Sequence, residues 1–412
     1  MFESELSAER IVIIGGVAAG MSAASKARRL RPDIEILVFE KSGYVSYGSC
    51  GLPYFISDMI KSPEELVVYD ARFFKEKRDI DVFLFHEVTE IFPGRHTVLI
   101  KNLQNRQENE YRYDKLLIAT GARAFVPPVR GTSINGVFTI RLLPDGIRVK
   151  EFITGRKARK AVIIGSGYIG MEMAEALTRS GINVTVLARG KKILGTMDDE
   201  ISEVVEDVIR INGVTLLKSA RVKEFMDWNG YLRRAVLNTD ESIDVDIAII
   251  AAGVRPNSGL AKKAGIKTGT HRDAIMVNQQ METNIPGIYA AGDCAATYNR
   301  LLERPVYAPL GTTANKMGRV AGVNMAGGAA SFKGIVGTST FKIFDLEVAR
   351  TGLTETEAIG EDINYITSVI KSGSRAHYYP GGREILIKLI AEKSTGRILG
   401  AGAAGKEGVP KR

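Results

Sequence analysis

The sequence predicts an α/β fold that consists of two parallel-sheet domains followed by a smaller α+β domain. Three observations support this prediction. An apolar run followed at once by glycines occurs twice, at residues 11–20 and 161–170. Each time, a helical segment and a second apolar run come next. From about Ser331 the sequence changes to alternating apolar and polar segments, which are typical of antiparallel strands.

Each copy of the repeat predicts a strand–helix–strand unit of roughly 30 residues. The first copy predicts a strand at residues 11–14, a helix at 21–30 and a strand at 34–40, and the second predicts the same elements at 161–164, 171–179 and 183–187. Further strands are predicted at residues 115–121, 247–253, 288–293, 339–344, 363–370 and 384–390. A helix is predicted over residues 312–325, with Thr312 or Thr313 as its N-cap.

The composition narrows the class of protein. The chain has 412 residues, of which 45% are hydrophobic and 25% charged. These values are typical of a globular protein of about two to three domains. Lys and Arg (56) exceed Asp and Glu (47), which gives a net charge of +9. Because no basic stripe is interleaved with aromatic residues, nucleic acid is not an expected partner.

The cysteine count and the length of the apolar runs indicate the cellular compartment in which the protein is expected. Only Cys50 and Cys294 occur, which excludes a disulfide framework and a Cys-rich zinc module, and no metal site is predicted. Two thiols fit a reducing cytosol, although the sequence alone leaves a bond between them open. The acidic opening residues 1–10 lack the basic region of a secretory signal, and no apolar run reaches about eighteen residues. We therefore expect a cytoplasmic protein without a membrane partner.

The second glycine cluster has the full G-x-G-x-x-G pattern, formed by Gly165, Gly167 and Gly170. The first glycine permits a tight turn, the second lets a pyrophosphate approach the backbone, and the third lets the helix pack on the strand. The phosphates of a dinucleotide then lie at a helix N-terminus, which favours negative charge. The pattern predicts a Rossmann-like dinucleotide-binding domain.

The residues after the next strand indicate which nicotinamide cofactor fits this domain. An acid there would bind the ribose 2′-hydroxyl of NAD, whereas a cation accommodates the 2′-phosphate of NADP. Here Arg189, Lys191 and Lys192 follow the strand, and no acid does. NADPH is favoured, or tolerated beside NADH, unless these cations only face solvent.

The first glycine cluster, residues 15–20, has Val17 where the middle glycine is usual. Glu40 nevertheless ends the following strand, where a ribose-binding acid is needed. An acid ends the second strand of the first unit, whereas cations follow the second strand of the second unit. This difference predicts that the two units bind two different dinucleotides. FAD and a nicotinamide cofactor form the natural pair, because hydride passes between them. Asp293, after a predicted buried strand, fits the ribityl hydroxyls of the flavin.

The predicted cofactor contacts lie in these turns and at the adjoining strand ends. They are Gly15, Gly16, Ala18, Ala19, Gly20, Glu40, Lys41, Thr120, Gly121, Gly292, Asp293, Gly165, Gly167, Ile169, Gly170, Arg189, Lys192 and Gly253.

Cys50 lies in a segment of small and hydroxylated residues, between Ser49 and Gly51, which indicates an accessible thiol and a stabilised thiolate. Cys294 instead follows an apolar strand, as an inert buried cysteine does. Phe55 occupies the fifth position after Cys50, so no second redox thiol is nearby.

Together these residues resemble the pyridine nucleotide-disulfide oxidoreductases, and most closely the single-cysteine branch that contains the coenzyme A disulfide reductases. The resemblance covers essentially the whole chain. It is carried by residues 15–20, 49–54, 119–121, 291–293, 309–316 and 377–381, of which the segment around Cys50 is the most specific.

The resemblance implies a glutathione-reductase-like fold with a C-terminal dimerisation domain, and a homodimer that shares its active sites across subunits. It implies an FAD-binding domain at residues 1–149 and 266–328, an NAD(P)H-binding domain at 150–265 and a dimerisation domain at 329–412.

The resemblance also implies roles for individual residues. Cys50 would be the redox nucleophile that alternates between a thiolate and a mixed disulfide with coenzyme A, and Tyr378 would reach the active site from the partner subunit. Coenzyme A disulfide, or another disulfide that carries coenzyme A, would be the substrate. The substrate-binding residues would be Ser22, Lys26, Arg29, Ser46, Ser49, Arg78 and Asn315. Ser22, Lys26 and Arg29 are spaced to share one helix face, which supports their assignment physically.

Departures from the family pattern affect the choice of activity. Peroxidase and oxidase members have a histidine in the first glycine turn, where this chain has Ala18, which favours disulfide reduction. The usual C-terminal tail with a second active-site tyrosine is expected to be missing, and no rhodanese-like domain is expected. The alternatives are reduction of a coenzyme A persulfide or polysulfide, an NAD(P)H oxidase or peroxidase that uses a Cys50 sulfenic acid, and a flavoprotein electron carrier without disulfide chemistry.

Overall fold

The structure, a computed structural model, describes residues 9–269 and 272–411. Most of the opening segment, on which the expectation about a secretory signal rests, lies outside the described residues. The described chain forms two compact units. Unit 1 consists of residues 9–48, 64–123 and 254–335, and unit 2 consists of residues 49–63, 124–253 and 336–411.

The helices and strands are numbered in chain order. The helices are α1 (Ala18–Leu30), α2 (Leu52–Ile56), α3 (Ala71–Arg78), α4 (Leu143–Arg156), α5 (Tyr168–Arg179), α6 (Asp199–Ile211), α7 (Gly259–Lys263), α8 (Gly311–Met325) and α9 (Glu355–Gly360). The strands are β1 (Arg10–Ile14), β2 (Glu35–Glu40), β3 (Asp81–Leu84), β4 (His86–Phe92), β5 (Thr97–Asn102), β6 (Glu108–Arg112), β7 (Lys115–Ile118), β8 (Ala122–Ala124), β9 (Val137–Thr139), β10 (Lys160–Ile164), β11 (Asn183–Ala188), β12 (Thr215–Lys218), β13 (Val222–Trp228), β14 (Tyr231–Leu237), β15 (Ser242–Asp244), β16 (Ile247–Ile250), β17 (Val254–Pro256), β18 (Ile288–Ala290), β19 (Thr297–Asn299), β20 (Arg304–Val306), β21 (Ser339–Ile343), β22 (Leu346–Gly352), β23 (Tyr365–Gly373), β24 (Glu384–Glu392) and β25 (Ile398–Gly405).

A five-stranded parallel sheet lies at the centre of unit 1, in the order β18-β7-β1-β2-β3. Ile11 of β1 pairs with Ile36 of β2 on one side and with Lys115 of β7 on the other. Residues 11–13 are completely buried, as expected for a parallel strand that is covered on both faces.

Unit 2 repeats this arrangement in a second parallel sheet, in the order β12-β11-β10-β16-β9. Ala161 of β10 pairs with Val184 of β11 and with Ile247 of β16. Unit 2 also contains an antiparallel sheet in the order β21-β22-β25-β24-β23, formed by the C-terminal part of the chain. The two parallel sheets and the C-terminal antiparallel sheet confirm the predicted fold class.

The two glycine turns have the same backbone geometry. Gly15 and Gly165 adopt φ values of +105° and +115°, and their N–H groups donate to Phe39 and Leu187, at 2.8 and 3.0 Å. A Cβ atom on Gly15 would overlap the carbonyl oxygen of Ala119, and one on Gly165 would overlap that of Ala251. The repeat seen in the sequence is therefore a repeat of backbone geometry, which only glycine permits at this position.

Helices α1 and α8 of unit 1 approach each other closely through small residues. A Cβ atom on Gly318 would overlap the carbonyl oxygen of Ala19, and one on Gly322 would overlap that of Ala23. Asn315 lies on α8 one turn before Gly318, so this close approach brings it near the helix that follows the first glycine turn.

The structure moves several predicted boundaries. Helices α1 and α5 begin at Ala18 and Tyr168, three residues earlier than predicted, because the last glycine of each turn already lies inside the helix. The N-cap prediction for α8 was wrong. Leu310 is the N-cap, and both Thr312 and Thr313 lie in the first turn of the helix.

Sequence analysis also missed β22 and β25 of the antiparallel sheet. β25 consists largely of Gly and Ala, which have a low strand propensity, and it is held by its central place between β22 and β24. The boundaries of the three domains stay a prediction.

Candidate active site

The N-terminus of α1 in unit 1 is open to an anion. Within the described residues, no side chain caps this helix end, and its first turn contains no acid. Gly20 lies inside the helix, where a Cβ atom would overlap the carbonyl oxygen of Gly15. Ala18 and Ala19, the two predicted neighbours, form the first turn of α1. The helix end therefore presents backbone N–H groups from a tight turn, as a pyrophosphate site requires.

Glu40 ends β2 beside this turn and holds it in place. Its Oε2 atom accepts a hydrogen bond of 2.8 Å from the Gly16 N–H, and its Oε1 atom accepts one of 2.8 Å from the Ser42 N–H. The carboxylate therefore lies at the glycine turn, where a ribose would be bound. Lys41, the next residue, is exposed and forms an ion pair with Glu87 at 2.7 Å.

The ends of β7 and β18 complete the predicted cofactor contacts of unit 1. The Thr120 hydroxyl donates to the carbonyl oxygen of Asn257 at 2.7 Å, and the Asn257 amide donates back to the Thr120 carbonyl at 2.9 Å. Gly121 and Gly292 both adopt positive φ. Asp293 is half-buried, and its carbonyl oxygen accepts a hydrogen bond from Tyr307 at 3.0 Å.

These observations test whether unit 1 fits FAD. An uncapped helix end, a glycine turn that a Cβ atom would block and a carboxylate at the next strand end are the features that a dinucleotide needs. The residues fit the group.

The second glycine turn, in unit 2, has the same open helix end. Gly167 is the N-cap residue of α5, no described side chain caps this helix, and its first turn has no acid. Gly167 is exposed with free space where a Cβ atom would lie, whereas Gly170 is buried against Gly165. Ile169 is half-buried in the first turn, and Gly253 follows β16 with φ of +105°.

The cations after β11 differ in their surroundings. Arg189 and Lys191 are exposed, and their side chains form no hydrogen bond or ion pair with another described residue. Lys192 is half-buried and forms an ion pair of 2.5 Å with Asp199. Arg189 and Lys191 therefore keep their charge available for a 2′-phosphate, and Lys192 is partly neutralised.

Several predicted substrate residues of unit 1 lie together on one face of α1. The Ser22 hydroxyl donates to the Asn315 side chain at 2.6 Å. Arg78 of α3 donates to the Ser25 hydroxyl at 2.5 Å. Sequence analysis missed Ser25, although its position three residues after Ser22 on the same helix face could have indicated it.

Arg29 and Lys26, the other two predicted substrate residues of α1, place positive charges near this face. Arg29 is exposed and donates to the Ser25 carbonyl at 3.0 Å. Lys26 is half-buried and has no side-chain partner among the described residues. We refer to Ser22, Ser25, Lys26, Arg29, Arg78 and Asn315 as the α1 polar face.

Aromatic rings support the position of Arg78. Its guanidinium group lies 5.3 Å from the ring centroid of Tyr69 and 5.4 Å from those of Phe73 and Phe74. Tyr69 and Phe73 are stacked at 4.1 Å. This cation–π environment fixes the direction of Arg78 while leaving its charge in place.

Ser46 occupies a strained position in the segment that leads to Cys50. It has φ of +49°, in the left-handed region that non-glycine residues rarely adopt. Its N–H donates to the Gly16 carbonyl, and its own carbonyl accepts from the Val68 N–H, both at 2.9 Å. The segment is thereby tied to the glycine turn of unit 1.

The two cysteines have opposite environments. Cys50 is exposed within a 3-10 turn, Ser49–Gly51, that leads into α2, and Ser49 beside it is half-buried. Cys294 is completely buried, and its Sγ atom donates to the carbonyls of Ile118 and Ala291. Burial raises the pKa of Cys294 to about 11, so of the two thiols only the exposed Cys50 is accessible to a substrate.

Sequence analysis also missed a half-buried acid in unit 2. Glu172 follows the second glycine turn on α5, and burial and the neighbouring Glu175 raise its pKa to about 7. The repeated turn drew attention to the glycines, and nothing in the spacing indicated this carboxyl group.

Tyr378 lies in the C-terminal part of unit 2 and is 78% exposed. The His377 ring packs edge-on against it, with 5.4 Å between the ring centroids. The role expected for Tyr378 requires a second copy of the chain. The exposed Tyr378 side chain is accessible to such a copy.

None of the helices in residues 9–269 and 272–411 has the length and apolar character that a membrane span requires. These described residues also contain no group of three His, Cys, Asp or Glu side chains positioned to hold a metal ion.

Comparison with known proteins identifies matches along nearly the whole chain. Residues 9–326 match the family model of the pyridine nucleotide-disulphide oxidoreductases, and residues 338–409 match the dimerisation domain of the same family.

Curated relatives match with similar coverage. The NAD(P)H coenzyme A polysulfide/persulfide reductase of Pyrococcus horikoshii is 39% identical over 98% of this chain and 89% of its own length. The NADH oxidase of Methanocaldococcus jannaschii is 35% identical, and the coenzyme A disulfide reductase of Staphylococcus haemolyticus is 32% identical, each with the same coverage.

A solved structure, that of an NAD-dependent persulfide reductase from A. fulgidus, superposes with a TM-score of 0.94 at 40% identity. The match covers 98% of this chain and 75% of that structure. The chain therefore belongs to the pyridine nucleotide-disulphide oxidoreductase family.

Proposed function

We propose that this chain reduces coenzyme A disulfide, or a related coenzyme A persulfide or polysulfide, with electrons from NAD(P)H and through Cys50. The observation that carries the proposal is the α1 polar face, where Ser22 contacts Asn315 and Ser25 contacts Arg78. The names of the Pyrococcus and Staphylococcus relatives, both of which include coenzyme A, support this substrate class.

Because the chain belongs to the pyridine nucleotide-disulphide oxidoreductase family, it is an NAD(P)H-dependent flavoprotein oxidoreductase. Gly15, Gly16, Gly20 and the N-terminus of α1 would hold the FAD pyrophosphate, and Glu40 would hold its ribose. FAD, when bound, supplies the redox chemistry that connects the nicotinamide hydride with sulfur. Arg189 and Lys191 would face the 2′-phosphate of NADPH.

The α1 polar face supplies what the nucleotide end of coenzyme A requires. That end carries a 3′-phosphate and a 5′-diphosphate, which cations and hydroxyl donors bind strongly. Lys26, Arg29 and Arg78 provide the cations, and Arg78 is oriented in advance by its aromatic neighbours. We propose that this face anchors coenzyme A, and that Ser46 and Ser49 bind the substrate closer to its sulfur.

The sulfur chemistry needs one thiol. The Cys50 thiolate attacks one sulfur of the disulfide, the substrate S–S bond breaks, and a Cys50–coenzyme A mixed disulfide forms while the other coenzyme A leaves as a thiolate. Two electrons from NAD(P)H then break the mixed disulfide, which releases the second coenzyme A and restores the Cys50 thiolate. One NAD(P)H and one proton are consumed for each disulfide. Tyr378 of a second copy would hold the departing thiol group by a hydrogen bond.

The assembly and domain organisation are part of the proposal. The outer strand β23 exposes Ile366, Val369 and Ile370, which fits burial against a second copy through the matched dimerisation domain. We propose a homodimer with active sites shared across subunits, and the three domains with the boundaries given above.

The Cys50→Ser variant tests the sulfur chemistry. Purified with FAD and assayed without oxygen, it should still bleach its flavin absorbance when NAD(P)H is added. It should lose thiol release from coenzyme A disulfide by at least about 100-fold, because serine cannot form the mixed disulfide. Cys294→Ala is the matched control and should retain turnover. Thiol release by Cys50→Ser at the rate of the unchanged protein would overturn the proposal.

A second candidate activity is NAD(P)H oxidation with oxygen or peroxide, which the name of the Methanocaldococcus relative favours. It would use Cys50 as a sulfenic acid, and Ala18 leaves the first glycine turn without the histidine expected for that chemistry. Consumption of oxygen or peroxide should be much slower than anaerobic thiol release from coenzyme A disulfide. The reverse ranking would favour the oxidase.

A further inference from the structure

Residues 189–197 of unit 2 lie between β11 and α6, and we refer to them as the β11–α6 loop. The loop carries Arg189 and Lys191, the two exposed cations that we propose for the 2′-phosphate of NADPH. It contains no helix or strand, and a Cβ atom on Gly195 would meet no atom within 4 Å. Because glycine is conformationally free and this one is not packed, contacts at other residues hold the loop in one conformation.

A backbone contact ties the loop to the second glycine turn. The Leu194 N–H donates to the carbonyl of Ser166, which lies between Gly165 and Gly167, at 2.8 Å. Leu194 is completely buried and has φ of +46°, in the left-handed region that non-glycine residues rarely adopt. Such a conformation persists only where the surrounding structure determines it. The loop therefore has a defined position beside the turn.

Arg350 of β22 holds the end of the loop. Its guanidinium group donates to the Thr196 carbonyl, and its side chain is 10% exposed. The same group donates to the carbonyl of Gly352, at the end of β22, and to Oε2 of Glu357 on α9, each at 2.6 Å. The planar fork of arginine reaches several acceptors at once, which the single ammonium group of lysine cannot do. Because Gly352 and Glu357 lie outside the loop, they orient Arg350 independently of it.

A second connection passes through Tyr168, the first residue of α5. The Thr196 hydroxyl donates to the Tyr168 hydroxyl at 3.2 Å, and the Tyr168 hydroxyl lies 3.1 Å from that of Ser339, at the start of β21. Hydrogen bonds thus link the loop with the helix that begins at the glycine turn and with the C-terminal sheet. The C-terminal sheet therefore determines where the end of the loop lies.

We propose that Arg350 is a positioning residue for the nicotinamide cofactor, because it holds the β11–α6 loop so that Arg189 and Lys191 meet the 2′-phosphate of NADPH. This inference rests on the proposed contact of these two cations with that phosphate. Arg189, Lys191 and Lys192 repel one another, so the cations move apart when the end of the loop is released. NADH lacks the 2′-phosphate. Arg350 therefore sets the preference between the two nucleotides rather than the affinity for both.

The ratio of two dissociation constants tests this role without turnover. The full-length protein, purified with FAD, is titrated with NADP⁺ and with NAD⁺ in a calorimeter. Arg350→Lys keeps a cation beside Glu357 but loses the simultaneous contact with the Thr196 carbonyl. The Kd for NADP⁺ should rise at least about 5-fold, whereas that for NAD⁺ should change less than about 2-fold. An unchanged ratio in Arg350→Lys, or an equal loss of affinity for both nucleotides, would overturn the proposal.

The Glu357→Gln variant is the matched control for the structural role of Arg350. It removes the ion pair and keeps an acceptor for the guanidinium group, so the contact with the Thr196 carbonyl remains. The ratio of the two Kd values should equal that of the unchanged protein. A shift as large as in Arg350→Lys would assign the effect to the ion pair and contradict the inference.

A double variant separates this inference from the proposed cation contact. Arg189→Ala combined with Lys191→Ala removes the cations themselves, and it should weaken NADP⁺ at least as much as Arg350→Lys does. If the double variant loses affinity for NADP⁺ and Arg350→Lys does not, the cation contact is supported and the inference is wrong. If neither loses affinity, both are wrong. None of these titrations uses coenzyme A, so the proposed sulfur chemistry is tested separately.

Hydrogen exchange in the unchanged protein gives a test that depends on no variant. With saturating nucleotide, NADP⁺ should slow exchange in peptides of the β11–α6 loop more than NAD⁺ does. Since coupling between two sites is mutual, NADP⁺ should also slow exchange in peptides that cover residues 350–357. Equal exchange of residues 350–357 with the two nucleotides would show that Arg350 is not coupled to the 2′-phosphate.

Discussion

The carboxylate of Glu40 accepts a hydrogen bond of 2.8 Å from the backbone N–H of Gly16. This contact joins the end of β2 to the glycine turn between β1 and α1. It makes the carboxylate both a support for the turn and the acid that we propose for the FAD ribose. The position of one side chain therefore links the stability of unit 1 with its affinity for the cofactor.

Glu40→Ala should lower both properties. It leaves the N–H groups of Gly16 and Ser42 without their acceptor, which costs about 1–3 kcal/mol when such groups are buried. We expect a lower melting temperature and a lower ratio of bound FAD to protein, measured by thermal unfolding and by flavin absorbance. Glu87→Ala is the control, since Glu87 forms only a surface ion pair with Lys41. Equal FAD content in Glu40→Ala and the unchanged protein would contradict the assignment of Glu40.

Two glycines of α8 give a matched test of its packing on α1. A Cβ atom on Gly318 would overlap the carbonyl oxygen of Ala19, whereas one on Gly311 has no atom within 4 Å. Gly318→Ala should destabilise the protein by about 1–3 kcal/mol through overpacking, and Gly311→Ala should be neutral or slightly stabilising. The melting temperatures of the two variants measure the difference. A Gly318→Ala protein as stable as Gly311→Ala would show that α1 and α8 are not held this closely.

Lys388 is expected to be essential to the C-terminal sheet. Its side chain is 1% exposed and forms ion pairs with Glu200 at 2.8 Å and with Glu355. Lys388→Met leaves two carboxylates without their cation. Because both are partly hydrated, we expect a loss of about 3 kcal/mol, at the lower end of the range for breaking a buried ion pair.

The melting temperature of Lys388→Met measures this loss, and the triple variant that adds Glu200→Gln and Glu355→Gln should recover part of it. If the triple variant is no more stable than Lys388→Met, charge is not the cause.

Glu172→Gln should change how stability depends on pH. The pKa of Glu172 is raised to about 7 in the folded chain, from an ordinary value of 4.5. A raised carboxyl pKa means that folding loses stability as the pH rises from about 4.5 through 7, because the unfolded chain ionises first. The variant lacks this loss and should be more stable by about 1–2 kcal/mol above pH 7, with little difference at pH 4. Melting temperatures at pH 4, 6 and 8 check the trend, and a constant difference across this range would contradict it.

The fold was predictable because backbone constraints appear directly as residue types. Gly15 and Gly165 are followed by helices and preceded by buried apolar strands, and this pattern has few other structural solutions. β25 was not predictable from the sequence, because its Gly and Ala residues have a low strand propensity. They form a strand only because β22 and β24 pair with them on both sides. Leu310 was not predictable as an N-cap either, since its side chain provides no acceptor.

The candidate site was predictable only where a family motif named its residues. The resemblance indicated Ser22, Arg78 and Asn315, and the structure brings Ser22 to Asn315 and Arg78 to Ser25 on the same helix. Glu172 gave no signal, since its raised pKa comes from burial between helices that are distant in sequence. Long-range environments of this kind are not encoded in local spacing.

The order of strands in unit 1 sets the sequence of events during synthesis. Strand β18 and helix α8 belong to the same sheet and layer as β1 and α1, yet they leave the ribosome nearly 300 residues later. Until then, the edge of β7 and the alanine face of α1 have no partner. Along the sequence, segments of unit 2 occur both before and after β18 and α8. Synthesis of each unit therefore begins before the other unit is complete. We expect nascent chains that end before residue 318 to be sensitive to proteases and to require chaperones.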